Sequence, residues 1–193
     1  MKITGEEFVE LIEKNPSWCK TITEPLKVTT YVDLIKSEIT HLSPLLTFNG
    51  KNSDGWAADF DHCKNLKVAT GTFNGIIDFS GSGIEKIENL TVTVSNDKGE
   101  SADFHNCKNL KIATGTYAGA VYFTNSGVTT IKNLIIKSTK KSNKKAWFLD
   151  CKIKYVPKEY RGKEYIFNNN IIKASISTDA INKIKAETNN IEI

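Results

Sequence analysis

The strongest constraint on the fold is a phrase written twice. The chain reads CKNLKVATGTFNG from Cys63 and, 44 residues later, CKNLKIATGTYAG from Cys107. The same interval separates all four cysteines, Cys19, Cys63, Cys107 and Cys151, and each is followed by lysine. Three of them close a Phe-x-x-Cys-Lys frame that starts at Phe60, Phe104 and Phe148. Evenly spaced single cysteines are not a metal signature, which needs close pairs. One thiol per structural repeat accounts for them.

The 44-residue unit divides in two. KNLKV (64–68), ENLTV (88–92), KNLKI (108–112) and KNLII (132–136) are copies of one string, with weaker copies on either side. Their apolar anchors fall at Leu26, Leu45, Leu66, Leu90, Leu110, Leu134, Ile153 and Ile171, 18 to 24 residues apart. One kind of coil carries Phe-x-x-Cys. The other carries Phe-x-x-Ser-Gly, as in FSGSGIEKI (79–87) and FTNSGVTTI (123–131). Leu-x-Val alternation predicts a short strand with one buried face. Such a strand in every coil predicts a repeat solenoid of roughly eight coils with a parallel β-sheet on one face, each coil burying its apolar side against its neighbours. Successive cysteines then lie two strand spacings apart, ~9–10 Å. A disulfide needs Cα atoms roughly 4.4–6.8 Å apart, so the cysteines are expected to be reduced packing residues.

Open ends need covers. TGEEFVELIEKN predicts a helix with Thr4 as N-cap, acidic residues in its first turn and an apolar stripe of Phe8, Leu11 and Ile12, ended by Asn15-Pro16. STDAINKIKAE predicts a second helix from Thr178 or Asp179. The expected organisation is an N-terminal capping helix in 1–18, a leucine-rich-repeat-like solenoid in 19–173, and a C-terminal capping helix and tail in 174–193.

ADFDHCKNLKV (58–68), ADFHNCKNLKI (102–112) and, more loosely, AWFLDCKIKY (146–155) resemble the Ala-Phe-x-x-Cys-x-x-Leu phrase of bacterial BspA-like leucine-rich repeats. The resemblance covers roughly 19–173 and is sharp from 57 to 155. It implies a curved solenoid with a parallel sheet on its concave side, and recognition rather than catalysis. The alternation of two coil types and the long loops depart from the uniform repeats of that family.

No run of 18 apolar residues occurs, so no membrane partner is expected. The acidic, amphipathic N-terminus lacks an apolar signal core. Cytoplasmic residence is the expectation, with signal-independent export left open. No cofactor, metal site or catalytic residue is assigned, and the chain is expected not to be an enzyme. His41, His62 and His105 share no repeat phase. Asp59 and Asp103 do, with Asp78 at the matching place between them and Tyr122 after. Stacked carboxylates raise the alternative of a carbohydrate-active β-solenoid enzyme, but aspartate beside a strand ordinarily bonds its own turn. ATGT (69–72 and 113–116) lacks the lysine and spacing of a phosphate loop and reads as a tight turn or bulge leaving the sheet.

The charge pattern carries the functional expectation. Lys27, Lys67, Lys111 and Lys154 occupy the middle of the Leu-x-Val phrase, a position expected to face out of the sheet. Residues 137–164 hold ten basic and three acidic side chains, whereas the chain nets only +4. Lys140, Lys141, Lys144 and Lys145 lie in that segment. The favoured reading is a non-enzymatic scaffold that binds another protein, one with an acidic surface, through the open sheet face and the loops at 49–56, 94–101 and 138–146. Trp56 and Trp147 stand beside two of these loops as anchors or as packing. The alternative is a nucleic-acid-binding scaffold using the same lysines. The single arginine, Arg161, weighs against it.

Overall fold

A computed structural model describes residues 1–137 and 145–168. The chain begins with β1 (Lys2–Ile3), α1 (Gly5–Lys14), β2 (Leu26–Val28), β3 (Val32–Asp33), β4 (Leu46–Phe48) and β5 (Trp56–Asp59). There follow β6 (Val68–Phe73), β7 (Ile76–Asp78), β8 (Lys86–Val92), β9 (Glu100–Asp103), β10 (Ile112–Tyr117), β11 (Ala120–Tyr122), β12 (Thr130–Ile136), β13 (Ala146–Phe148) and β14 (Tyr165–Phe167). From β2 to β13 the chain passes alternately between two seven-stranded sheets. The first runs β1-β2-β4-β6-β8-β10-β12 and the second β14-β13-β11-β9-β7-β5-β3. Neighbours in both sheets pair parallel. The fold is thus mainly β, parallel and repeating, a form compatible with a solenoid. A second sheet stands where the sequence reading expects only one.

Register explains the repeat. On the inner side of the first sheet Val28, Phe48, Phe73, Val92, Tyr117 and Ile136 stack in one column. On the inner side of the second, Val32, Ala58, Ile77, Ala102, Val121, Ala146 and Tyr165 do the same. The small residues of that second column leave room for a spine of phenylalanines just beyond it. Phe60, Phe79, Phe104, Phe123, Phe148 and Phe167 stack with successive ring centroids 5.0–5.4 Å apart. Phe73 reaches across the core to meet Phe60 and Phe79 edge-on. Each offset or edge-on aromatic contact adds about 0.5–1.5 kcal/mol to area burial.

After each phenylalanine the chain must turn a corner. Lys36, His62, Gly81, Asn106, Asn125 and Asp150 all have φ between 56° and 61°. Five of them stand two residues after a spine phenylalanine, and Lys36 stands two after Leu34. This left-handed column favours Gly, Asn and Asp. One residue further on, Cys63, Ser82, Cys107, Ser126 and Cys151 point inward, cysteine and serine alternating, and all five are buried. The Cys107 and Cys151 thiols donate to the carbonyls of Phe79 and Phe123, each at 3.0 Å. All four cysteines are free, in line with the spacing argument. Burial pushes the Cys19, Cys63 and Cys107 thiols up to about 12.

The strand register differs from the sequence reading in the cysteine-bearing coils. Leu66 and Leu110 are buried but lie before β6 and β10, in the corner that Cys63 and Cys107 open. The strands themselves are VATGTF and IATGTY, so ATGT is part of the sheet and does not leave it. The bulge is in the partner strands: Glu88-Asn89 of β8 and Lys132-Asn133 of β12 stand against Thr70 and Thr114 alone, and pairing slips by one residue before Gly71 and Gly115, whose φ are +104° and +112°. Leu90 and Leu134 do sit in strands with their side chains buried, as expected. Leu45 stands just outside β4, and its neighbour Leu46 pairs with Leu26.

At the N-terminal end α1 covers the core. The Glu7 amide donates to Thr4 Oγ1 at 3.1 Å and the Thr4 amide to Glu7 Oε2 at 2.7 Å, a reciprocal cap. Phe8 and Ile12 are buried, and Phe8 meets Phe48 edge-on at 5.5 Å. The helix expected near Thr178, Ile171 and most of the segment 138–146 lie outside the described residues.

Candidate functional site

Two loops of the same design join the first sheet to the second. Asn52 organises one and Asn96 the other. Asn52 Oδ1 accepts from the amides of Asp54 and Trp56, and Asn96 Oδ1 from those of Lys98 and Glu100, at 2.9–3.0 Å. Gly55 and Gly99 close these loops with φ +88° and +85°. The coil following each loop makes the same crossing with a tight turn. Ile76 donates from its amide to the Gly55 carbonyl at 3.0 Å, and Ala120 to that of Gly99 at 2.8 Å. A Cβ on Gly75 would stand 2.8 Å from that Gly55 oxygen, and one on Gly119 2.4 Å from the Gly99 oxygen. The loops are seated on these glycines.

Between the loops and along the second sheet runs a groove. Its inner part encloses about 310 Å³ beside Trp56, Ile76, Glu100, Asp103 and Tyr122. It adjoins a wider space of about 640 Å³ between the two loops, with Trp56 and Glu100 bordering both. Glu100 is held from two sides: Asn96 Nδ2 donates to Oε2 and the Tyr122 hydroxyl to Oε1, both at 2.9 Å. Tyr122 in turn stacks on Trp147 at 4.5 Å. Trp56 and Trp147 are half-buried, facing outward rather than into the core.

Beside the groove the outward column of the second sheet reads Asp33, Asp59, Asp78, Asp103, Tyr122, Trp147 and Ile166. Four aspartates stack rung on rung, ~4.8 Å per strand. Asp59 and Asp103 share a phase as the sequence suggested, with Asp78 between them, and Asp33 extends the column unforeseen. Each carboxylate accepts the amide two residues on: Asp33 from Ile35, Asp59 from Asp61, Asp78 from Ser80 and Asp103 from His105. These are the turn bonds that aspartate beside a strand ordinarily makes. Burial, then the neighbouring carboxylates, raise Asp59 and Asp103 to about 6. Asp78 is raised too, chiefly by burial.

His62 Nδ1 lies 2.6 Å from Asp61 Oδ1, and the Ser80 hydroxyl donates to that same oxygen at 2.9 Å. Imidazole and hydroxyl meet at the carboxylate, so histidine does not stand between serine and aspartate as a general base must. His62 occupies the left-handed corner and His105 the position before it, so the histidines do not align. Among the described residues no group of His, Cys, Asp and Glu is arranged to hold a metal ion. No helix among them is long and apolar enough to cross a membrane.

The lysines do not form the expected stripe on a sheet face. Lys27 alone of the four is in a strand, facing outward on the first sheet, where Thr47, Thr72, Thr91, Thr116 and Ile135 continue its column. Lys67 and Lys111 stand at the corner before β6 and β10, because there the Leu-x-Val phrase turns rather than extends. Lys67 pairs with Glu85 of the next coil at 3.1 Å. Lys154 is exposed in the segment after Cys151. Lys145 is 3.6 Å from Glu164 and lies over the Tyr165 ring. Lys140, Lys141 and Lys144 fall outside the described residues. The sequence held a signal for the groove that its reading passed over: Asn-x-x-Gly occurs at the same offset in both loops, 44 residues apart. Compared with protein families, curated proteins and solved structures, the chain matches none.

Proposed function

We propose that the protein is a non-enzymatic scaffold that binds another protein through the outer face of the second sheet and the loops at 49–56 and 94–101. The proposal includes a solenoid of about eight coils, capped at both ends, kinship with bacterial BspA-like leucine-rich repeats, and a cytoplasmic location. The kinship rests on the Phe-x-x-Cys-x-x-Leu phrase, and the second sheet is a departure from it. One observation carries the binding reading: two loops preformed by the same asparagine network flank a groove bordered by outward-facing Trp56 and Tyr122, with Trp147 stacked on Tyr122. Tryptophan and tyrosine are the side chains on which interface energy concentrates, and a prebuilt loop loses little entropy on binding.

Nucleic acid is the second reading. It rests on the basic 137–164 segment and is weakened by the scatter of Lys27, Lys67, Lys111 and Lys154 and by the acidic column beside the groove. A carbohydrate-active enzyme ranks third, since the aspartates that suggested it cap their own turns.

The test is affinity capture from native host lysate, with and without nuclease. The bait is compared with Trp56→Ala/Trp147→Ala and Lys67→Glu/Lys111→Glu variants of matched thermal stability. Capture resistant to nuclease, lost in the tryptophan variant and kept in the lysine variant supports the reading. Release by nuclease favours the second reading. Equal capture by all three baits refutes the assignment of the face.

A further inference from the structure

Resting on that reading, we infer that the groove between Trp56 and Tyr122 receives a cationic side chain, arginine or lysine, from an extended segment of the partner. The sequence alone suggests an acidic partner. The inner part of the groove has the opposite character, while Lys51 and Lys98 stand on the outer space together with Asp54, Asp97 and Glu100. Glu100 and Asp103 border the inner part, and among the described residues no lysine or arginine does. The aspartate column carries the same sign onward through Asp78, Asp59 and Asp33.

The carboxylate of Glu100 is fixed but not exhausted. Asn96 and Tyr122 take one acceptor site on each oxygen, and an ionised carboxylate offers about four. What remains accepts hydrogen bonds only, so a ligand must donate. Arginine donates from a planar fork matched to carboxylates, and lysine as a point charge. The stem of either side chain needs apolar cover, which Ile76 provides. Trp56 borders the same space, and an indole ring attracts cations. A neutral ligand would leave the repulsion between Glu100, Asp103 and Asp78 in place, whereas a cation offsets it. Burial, with Asp78 and Glu100 beside it, holds Asp103 near 6 in the free protein against the opposing pull of the His105 amide and ring, and a cation beside it would pull it down. Binding should therefore release protons and strengthen as pH rises through about 6.

The probe is a fluorescein-labelled hexapeptide, Gly-Gly-Arg-Ala-Arg-Gly, titrated by fluorescence anisotropy at pH 5.0 and 7.5. Its control replaces both arginines with citrulline, which keeps the shape and three of the five N–H donors but not the charge. The expected result is saturable binding at pH 7.5, at least about tenfold weaker for the citrulline peptide, for Glu100→Gln and at pH 5.0. Asp103→Asn should weaken binding at pH 7.5 by about as much as the drop to pH 5.0 weakens it for the unaltered protein, and remove much of the pH dependence. The citrulline comparison uses the unaltered protein, so a poorly folded variant does not spoil it. Equal affinity for both peptides, no arginine-dependent binding at millimolar peptide, or tighter binding of a neutral hexasaccharide would overturn the inference. If nuclease-resistant capture through the tryptophans persists while the arginine peptides fail, the scaffold reading stands and the cationic ligand falls. If both fail, both fall.

Discussion

Replacing Asp78 with asparagine should stabilise this protein at pH 8 and leave its stability nearly unchanged at pH 4. Asp78 pairs in register with Asp59 on one side and Asp103 on the other, roughly one strand spacing away from each, ~4.8 Å. Two unit charges at ~5 Å repel by about 0.8 kcal/mol in water and about 3 kcal/mol at an effective dielectric of 20. Two such neighbours, discounted for partial exposure, give roughly 1–3 kcal/mol. Asparagine keeps an oxygen to accept the Ser80 amide, which donates at 2.6 Å. The sign follows from proton counting. Asp59 and Asp103 are raised to about 6, and Asp78 is raised, whereas an unfolded aspartate titrates near 3.9. Between about 4 and 6 the native state holds protons that the unfolded chain has released. Stability contributed by this column therefore falls as pH rises through that window and is flat on either side. Urea unfolding of wild type and Asp78→Asn at pH 4, 6 and 8 measures the difference. A gain that grows from near zero at pH 4 to about 1–3 kcal/mol at pH 8 is the expected outcome. An equal effect at all three pH values, or a loss at pH 8, would refute the account of the column as buried, mutually repelling charges.

Further outcomes follow from the core. Denatured, unreduced protein should titrate four thiols with Ellman's reagent, and native protein should react slowly, because the cysteines are free and buried. Leu90→Ala or Leu110→Ala should cost ~2–5 kcal/mol by denaturant unfolding, since both side chains are buried. Phe104→Ala should cost ~3–5 kcal/mol. It should also raise amide exchange in the strands on either side, because its ring stacks on both Phe79 and Phe123. Gly75→Ala should displace the Asn52 loop from its seat, read as lost amide protection at Trp56 and Ile76, whose bonds belong to that loop.

How much was legible depended on which residues announced their neighbours. Identical spacing of Cys63, Cys107 and Cys151 announced stacking, and parallel pairing of successive coils follows from it. Leu66 misled because a buried leucine at a corner and one in a strand leave the same mark in sequence: both repeat, and both sit beside a polar residue that faces out. What distinguishes them is the backbone: the Leu66 amide donates to the Cys63 carbonyl in a turn before β6 begins at Val68, whereas Leu90 lies within β8. A strand at Leu66 puts Lys67 on a sheet face that it does not occupy. The second sheet was written in Ala-Ala-Asp-Phe, Ile-Ile-Asp-Phe and Ser-Ala-Asp-Phe (57–60, 76–79 and 101–104). These strands are only three or four residues long, too brief for alternation to declare itself. Asp33 belongs to the same column, but Leu34 replaces the phenylalanine that marks the other rungs. The groove needed the pairing of Asn96 and Tyr122 on Glu100, residues from different coils whose meeting no local pattern encodes.

The glycines under the loops act as a gauge. Because a long loop sits directly on the tight turn of the following coil, two long loops cannot occupy adjacent rungs. The nearest permitted separation is two rungs, ~9.6 Å, about the width of a single extended chain with its side chains. A lineage that lengthened this protein by copying one coil would put a loop where a seat must be. Copying two coils at once preserves the alternation and adds another slot of the same width, so growth by pairs would yield a row of equally spaced berths along one edge.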